Sequence, residues 1–124
     1  LCVDELNGAP GIFSARFAGE PCDNKANNQL LLLKLNDVPK EKRTAKFVSA
    51  VACVFPDGRQ FTVRGECYGY IGFEENGQNG FGYDPLFWTD LGCFGLIDAD
   101  TKDSVSHRAM ALIEFKKELK KYGY

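Results

Sequence analysis

The chain has 124 residues, of which 44% are hydrophobic and 26% are charged, and its formal net charge is −2. This length suits one domain with a buried core, which we expect to span residues 1–124. The small negative charge argues against a nucleic-acid partner, which usually requires a basic stripe, and no apolar run is long enough to indicate a membrane span.

The first half of the chain contains one predicted helix. Residues 7–11, Asn-Gly-Ala-Pro-Gly, indicate a loop. A helix is predicted from Asp23 or Asn24 to Leu35, because Asp23 can cap its N-terminus and four leucines supply an apolar face. Pro39 closes this segment, and a polar connector follows.

The middle of the chain predicts a long antiparallel hairpin. Residues 46–55 are rich in Val, Ala and Phe, and residues 60–71 alternate between two faces with period two. Between them, Pro-Asp-Gly at 56–58 has the composition of a turn. Gly65 and Gly69 in the second strand indicate either a bulge or the close approach of another backbone.

The last third is predicted to be mostly irregular before a final helix. Residues 74–82 read as a loop, 86–88 as a short buried strand, and 91–100 as irregular structure. A helix is predicted over residues 101–122, where apolar side chains recur on one stripe. Its lysine-rich end is interpreted as a solvated helix face, not as a nucleic-acid patch.

The five cysteines are odd in number, widely spaced and without a C-x-x-C pair. This pattern favours a reducing, cytoplasmic compartment over a disulfide scaffold or a zinc site. No spacing of His, Cys or acidic residues indicates metal ligands, so no metal-binding residue is predicted.

The segment Asn-Gly-Phe-Gly-Tyr-Asp-Pro at residues 79–85 is the most informative part of the sequence. Glycines on either side of Phe81 allow a ring to lie open at the rim of a site, and a flat ligand can stack on such a ring. The alternatives are that Phe81 and Tyr83 fill the core and that Asp84 only caps a turn.

A second motif, Ser-His-Arg at 106–108, follows at the start of the predicted helix. Arg108 can donate two parallel hydrogen bonds to a carbonyl or a phosphate, and His107 is the only histidine. Lys102 lies just ahead of or within the first turn, where a helix N-terminus favours anions, although considered alone it is better explained as a solvated surface lysine. These residues together favour a purine nucleotide site on a globular α/β domain.

The chain resembles the inosine/xanthosine triphosphate pyrophosphatases, the Ham-type enzymes that hydrolyse non-standard purine nucleoside triphosphates. The similarity runs through the chain in order. Its matching segments are residues 1–20, Asn27-Asn28, residues 43–47, the Pro-Asp-Gly turn at 56–58, residues 75–87 and residues 101–112.

The resemblance implies eight substrate-binding residues: Phe81, Gly82, Tyr83, Asp84, Lys102, Ser106, His107 and Arg108. In this assignment Phe81 stacks on the purine, Tyr83 supports the loop, and Asp84 reads the base edge and helps to hold the loop. Lys102 contacts the substrate in or near its phosphates. The Ser-His-Arg motif meets the six-position oxygen of hypoxanthine or xanthine, and its donors would reject the amino group of adenine.

The implied fold is α/β, a mixed sheet with a long antiparallel hairpin flanked by helices. The implied reaction cleaves ITP, dITP or XTP with magnesium, between the α and β phosphates, to the monophosphate and pyrophosphate, in a homodimeric enzyme. The family's N-terminal strands, phosphate loop and Asp-Ser-Gly segment have no counterpart in these residues, so we expect the catalytic and magnesium-binding carboxylates upstream of Leu1 and impaired activity.

Two alternatives to the enzyme remain from the sequence. The first is a non-catalytic nucleotide-binding or dimerisation fragment of the same fold. The second is a structural or interaction domain that keeps only the fold and binds no nucleotide.

Overall fold

The computed structural model describes residues 1–124 and contains one sheet with three helices. The strands are β1 (Cys2–Val3), β2 (Thr44–Val54), β3 (Gln60–Ile71), β4 (Phe87–Thr89) and β5 (Gly92–Cys93), and they lie in that order across the sheet. The helices are α1 (Asn24–Lys34), α2 (Ala99–Asp103) and α3 (His107–Lys121), and short 3-10 helices cover Asp4–Leu6, Gly11–Arg16, Lys40–Lys42 and Asp84–Leu86.

The predicted α/β fold with a long antiparallel hairpin and flanking helices is confirmed. One detail, the mixed sheet, is wrong, because every neighbouring pair of strands is antiparallel. Short turns join β2 to β3 and β4 to β5. Because a short turn reverses the chain direction, the strands that it joins are antiparallel. None of the helices has the length and apolar character that a membrane span requires.

The hairpin of β2 and β3 is regular along its whole length. Its register runs without interruption from Thr44 opposite Tyr70 to Val54 opposite Gln60. At the turn, Phe55 N–H donates to the Arg59 carbonyl at 2.8 Å, and Gly58 takes a φ of +91°. The predicted Pro-Asp-Gly turn therefore supplies the left-handed residue that the reversal needs.

The two strand glycines mark close backbone approaches and not a bulge. A Cβ atom on Gly65 would overlap the backbone of α3 at Ala111 and His107, and one on Gly69 would overlap the carbonyl oxygen of Trp88. Gly65 is thus the position at which α3 crosses the hairpin. The first turn of α3 is held directly against the sheet there.

The main core lies between the inner face of the sheet and the segments around it. Three phenylalanines are at its centre, with the ring centroids of Phe47 and Phe87 4.5 Å apart and those of Phe87 and Phe94 5.1 Å apart. The other buried members of this cluster are Leu1, Val3, Leu31, Leu35, Ala45, Cys67, Ile71, Tyr83 and Leu86. The core thus joins α1, the hairpin and the segment 83–94.

A buried arginine attaches the end of α1 to the sheet. Arg43 is 3% exposed. Its guanidinium donates to the carbonyl oxygens of Leu35 at 2.7 Å, Val38 at 2.7 Å and Gly72 at 2.8 Å. These charge-assisted bonds fix α1 relative to the strand end that precedes the loop of residues 74–82.

The outer face of the hairpin carries a separate aromatic group. Tyr70 and Trp88 are paired across β3 and β4, and their rings stack with centroids 6.3 Å apart. A cavity of about 480 Å³ lies beside them and is lined in part by Lys40 and Tyr68. This face is opposite to the one that packs against the core.

The predicted helix over residues 101–122 is wrong as one element, since it is split into α2 and α3. Asp98 caps α2 by accepting from Thr101 N–H at 2.7 Å, and Ser106 caps α3 by accepting from Ala109 N–H at 3.2 Å. Between them, Ser104 donates its hydroxyl to the Thr101 carbonyl at 2.6 Å. Serine side chains that bond to nearby backbone compete with the helix, which explains the break.

Candidate functional site

A cavity of about 290 Å³ brings six of the eight predicted substrate-binding residues together. It lies between the loop of residues 79–84, the start of α3 and the segment of residues 14–24. Its lining residues are Leu1, Ser14, Ala15, Cys22, Asn24, Phe47, Phe81, Gly82, Tyr83, Asp84, His107 and Arg108. Lys102 and Ser106 are adjacent to this cavity but do not line it.

Two glycines give the loop its shape. Gly80 has a φ of +72° and Gly82 a φ of +59°, both in the left-handed region that side chains disfavour. A Cβ atom on Gly80 would also overlap the carboxylate of Asp84. The backbone therefore closes tightly around Asp84 and directs Phe81 outward.

Asp84 holds the loop from inside. Its side chain is 5% exposed, and its Oδ2 accepts from Phe81 N–H at 2.9 Å and from Lys102 Nζ at 2.6 Å. A buried carboxylate requires such partners, because leaving a charge unpaired in the interior is costly. Asp84 lines the cavity, but one of its oxygens is committed to the loop and to Lys102; base reading by Asp84 stays a prediction.

Phe81 presents an exposed aromatic ring with two cations close to it. The residue is 55% exposed. Lys102 Nζ and Arg108 Cζ each lie 4.7 Å from the centroid of its ring. A positive charge this close to an aromatic face is attracted by the ring quadrupole, so the two cations hold the ring at the rim of the cavity.

His107, the first residue of α3, lies inside the cavity as a neutral ring. Its imidazole stacks on Phe47 with centroids 4.9 Å apart and planes 19° from parallel. Burial, and then the neighbouring charge of Arg108, lowers the pKa of His107 to about 4. Its Nδ1 is buried and has no hydrogen-bond partner in the protein. At neutral pH the Nδ1 atom of this uncharged ring can either donate a hydrogen bond to a ligand or accept one from it.

Tyr83 ties the loop to the opposite wall of the cavity. Its hydroxyl donates to the Ser14 carbonyl at 2.6 Å, and burial raises the pKa of Tyr83 to about 12. The phenol is therefore a neutral donor across the working pH range. The placement fits the loop-supporting role that the resemblance implies.

Lys102 and Ser106 are adjacent to the cavity, and their polar groups are hydrogen-bonded within the protein. Lys102 lies near the end of the short helix α2, not in the first turn of α3, because of the break at Ser104–Ser106. Its ammonium is directed to Asp84, and the side chain is 15% exposed. Ser106 is 4% exposed and uses its hydroxyl as the N-cap of α3. Contact of Lys102 with phosphates, and of Ser106 with a base oxygen, stay predictions.

Several cavity residues were missed by sequence reasoning. The sequence pattern places Phe47 only in a strand, whereas in the structure its ring lines the cavity and stacks on His107. Ser14, Ala15 and Cys22 come from a segment with no regular strand or helix pattern. Their spacing carries no local signal, since only the folded chain brings them to residues 81–84.

The side chains present do not form a metal site. No group of three or more His, Cys, Asp or Glu residues is arranged to hold an ion. Asp84 is the carboxylate of the cavity, and it is paired with Lys102 at 2.6 Å. A magnesium site needs several free oxygen ligands, so the described residues do not fit one.

Comparisons with known proteins place these features in a wider context. The chain matches the Ham1 family over residues 1–118. It is 43% identical over 123 residues to a dITP/XTP pyrophosphatase of Bacillus cereus, covering 96% of this chain and 60% of the relative. It is 51% identical over 114 residues to a dITP/XTP pyrophosphatase of Exiguobacterium sibiricum, covering 90% of this chain and 58% of the relative.

A solved structure agrees with the fold. The structure of the Staphylococcus aureus Ham1 protein superposes with a TM-score of 0.92 at 35% identity, covering 98% of this chain and 63% of the other. The chain thus spans about 60% of the length of the curated relatives it matches.

Proposed function

Since the chain belongs to the Ham1 family, we propose that it carries the purine-recognition part of a nucleoside triphosphate pyrophosphatase. The proposed substrates are ITP, dITP and XTP. Hydrolysis between the α and β phosphates gives the monophosphate and pyrophosphate. The names of the relatives, dITP/XTP pyrophosphatases, support this reaction class.

The observation that carries the proposal is the set of groups around the 290 Å³ cavity. Phe81 offers an exposed ring on which a purine can stack. Arg108 lies over that ring, and its guanidinium can donate to a base carbonyl. His107 adds a neutral group whose Nδ1 has no other partner.

These groups would discriminate oxo-purines from adenine by hydrogen-bond pattern. A guanidinium has donors only, so it pairs with the six-position oxygen of hypoxanthine and xanthine. The amino group of adenine would present a donor to a donor and leave both without partners. A site of this kind rejects the wrong base strongly, because buried polar groups are left unpaired.

The test is calorimetric titration of the chain with ITP and with ATP. We expect ITP to bind more tightly than ATP, and Arg108→Ala to weaken ITP binding by about 10- to 150-fold, the range for a hydrogen bond to a charged group. Arg64→Ala is the matched control, since Arg64 is exposed on the outer face of β3. Equal binding of ITP and ATP, or equal effects of the two variants, would contradict the proposal.

A non-catalytic nucleotide-binding or dimerisation module is the second candidate. It is favoured by the pairing of Asp84 with Lys102, which leaves that carboxylate less free to activate water. The two candidates differ in whether the chain forms pyrophosphate from ITP. Pyrophosphate formation from ITP supports the enzyme, whereas ITP binding without pyrophosphate supports the module.

Three further parts of the proposal follow from the family resemblance. Magnesium is proposed as a requirement for turnover, although the described residues do not hold it. Measuring purine binding in the presence of a chelator tests whether base recognition is independent of magnesium. A homodimer is proposed, and analytical ultracentrifugation measures the oligomeric state.

A cytoplasmic location is proposed, and the five free cysteines are consistent with a reducing compartment.

A further inference from the structure

Two adjacent asparagines of α1 reach opposite walls of the cavity. Neighbouring helix residues point about 100° apart, so they contact different segments. Asn27 accepts from Ala18 N–H at 2.7 Å and donates to the Ala15 carbonyl at 3.0 Å. Asn28 donates from Nδ2 to the Gly82 carbonyl at 3.1 Å, across 54 residues of sequence.

We propose that Asn28 is a positioning residue that fixes the loop of residues 81–83 in the conformation that receives the base. The inference rests on the proposed function, since that loop is taken as the purine platform. Gly82 lies between Phe81 and Tyr83 and has a left-handed φ of +59°, and its carbonyl accepts the hydrogen bond from α1. The bond from Asn28 is the hydrogen bond that this carbonyl accepts within the protein.

The loop needs such a tether because its central ring is not held by packing. Phe81 is 55% exposed, whereas Tyr83 is 6% exposed. The direction of the Phe81 ring therefore depends on the backbone on either side as well as on the contacts with Lys102 and Arg108. Asp84 fixes that backbone on one side through Phe81 N–H, and Asn28 fixes it on the other through Gly82.

The other half of the Asn28 amide supports this role. Asn28 is 3% exposed, and its Oδ1 is buried without a partner. An unpaired buried acceptor destabilises the fold, so a leucine of similar size would be the more stable residue if the amide had no task. Asn27, in contrast, has partners for both its amide atoms. The feature of Asn28 that remains to be explained is its Nδ2 donor, and this donor holds Gly82.

The test compares Asn28→Leu with Asn27→Leu in the full chain. In Asn28→Leu we expect amide hydrogen exchange at Phe81 and Asp84 to accelerate several-fold, while the urea midpoint stays unchanged. ITP affinity should fall about 2- to 12-fold, the factor for one neutral hydrogen bond. In Asn27→Leu the accelerated amide should be that of Ala18, with Phe81 unaffected.

Each outcome has a defined meaning. Unchanged exchange at Phe81 and Asp84 in Asn28→Leu overturns the inference, as does an affinity loss that only follows a lower urea midpoint. Exchange is measured without nucleotide, so it decides the role of Asn28 even if the parent chain binds no ITP. That last result would reject the proposed function, and the exchange data would then show only whether Asn28 orders the loop of residues 81–83.

Discussion

Asp84 and Lys102 form the least exposed ion pair of the chain, and Phe81 depends on both. The carboxylate accepts from Phe81 N–H at 2.9 Å, and the ammonium lies 4.7 Å from the centroid of the Phe81 ring. Removing one member of a buried pair leaves the other charge without compensation. Asp84 and Lys102 therefore jointly stabilise the loop and orient the Phe81 ring.

We expect Lys102→Ala to lower the free energy of unfolding by about 3 kcal/mol, the size found when a buried pair loses one partner. Urea denaturation measures this loss. Lys117→Ala is the control, because Lys117 is 67% exposed in its pair with Glu114 and such pairs contribute about 0–1 kcal/mol. Equal effects of the two variants would contradict a structural role of the Asp84 pair.

His107 is expected to titrate well below an ordinary histidine. Burial lowers its pKa to about 4 from 6.5. The unfolded chain therefore binds more protons between these values, so the contribution of the neutral ring to stability is lost as the pH falls from 6.5 toward 4.

The measurement is the imidazole NMR signal, which needs no assignment because the chain has one histidine. His107→Phe keeps a ring against Phe47 and removes the titrating group. We expect this variant to lose part of the decline in unfolding free energy over the same pH window. A titration midpoint near 6.5 would show that the ring is solvated and not buried.

At the scale of elements, the crossing of α3 over β3 places the Ser-His-Arg motif. Gly65 leaves room for the backbone of α3 where its first and second turns pass. Ser106 caps the same helix and fixes where it begins. The direction of His107 and Arg108 into the cavity follows from this contact and this cap.

Gly65→Ala is expected to force the two elements apart. The added methyl group meets backbone and not a flexible side chain, so we expect a loss of about 3 kcal/mol, the upper range for overpacking an interior. The Gly65→Ala substitution should also weaken ITP binding, because it displaces His107 from its position in the cavity. Thr62→Ala, on the exposed face of the same strand, should change stability by less than about 0.5 kcal/mol.

The elements that sequence predicted best are those with strong local signals. The hairpin was predicted because period two and a Pro-Asp-Gly turn agree, and α1 because Asp23 caps it. The break near Ser104 was missed, because residues 101–106 contain no Gly or Pro to mark it and the competing bonds come from serine hydroxyls. The cavity loop was recognised from its own residues.

The opposite wall of the cavity could not be predicted in the same way. Ser14 reaches Tyr83 across 69 residues, and its neighbours have no periodic pattern. The roles of Asn27 and Asn28 likewise depend on which segments α1 contacts after folding. Such tertiary hydrogen bonds leave no trace in local composition.

At the scale of the whole molecule, the five cysteines differ widely in accessibility. Cys22 is exposed at the cavity, whereas Cys67 and Cys93 are buried. Burial also raises the pKa of the Cys67 and Cys93 thiols, which lowers the thiolate fraction that reacts. The thiols therefore report on different parts of the fold.

We expect iodoacetamide to modify Cys22 first in the native protein and Cys67 and Cys93 last, as measured by peptide mass spectrometry. ITP should slow the reaction at Cys22, because that residue lines the proposed base cavity. In denaturant all five thiols should react at similar rates. Native labelling of Cys93 as fast as that of Cys22 would contradict the described packing.

The stack of Trp88 on Tyr70 provides an intrinsic fluorescence signal that can serve as an internal standard for folded protein. Trp88 is the only tryptophan, and it lies on the outer sheet face beside β3. Its fluorescence emission should change when the sheet unfolds and should stay constant when a purine occupies the cavity beside Phe81. A fluorophore attached at Cys22 would then report ligand occupancy, with the indole signal of the same molecule as its internal standard for folded protein.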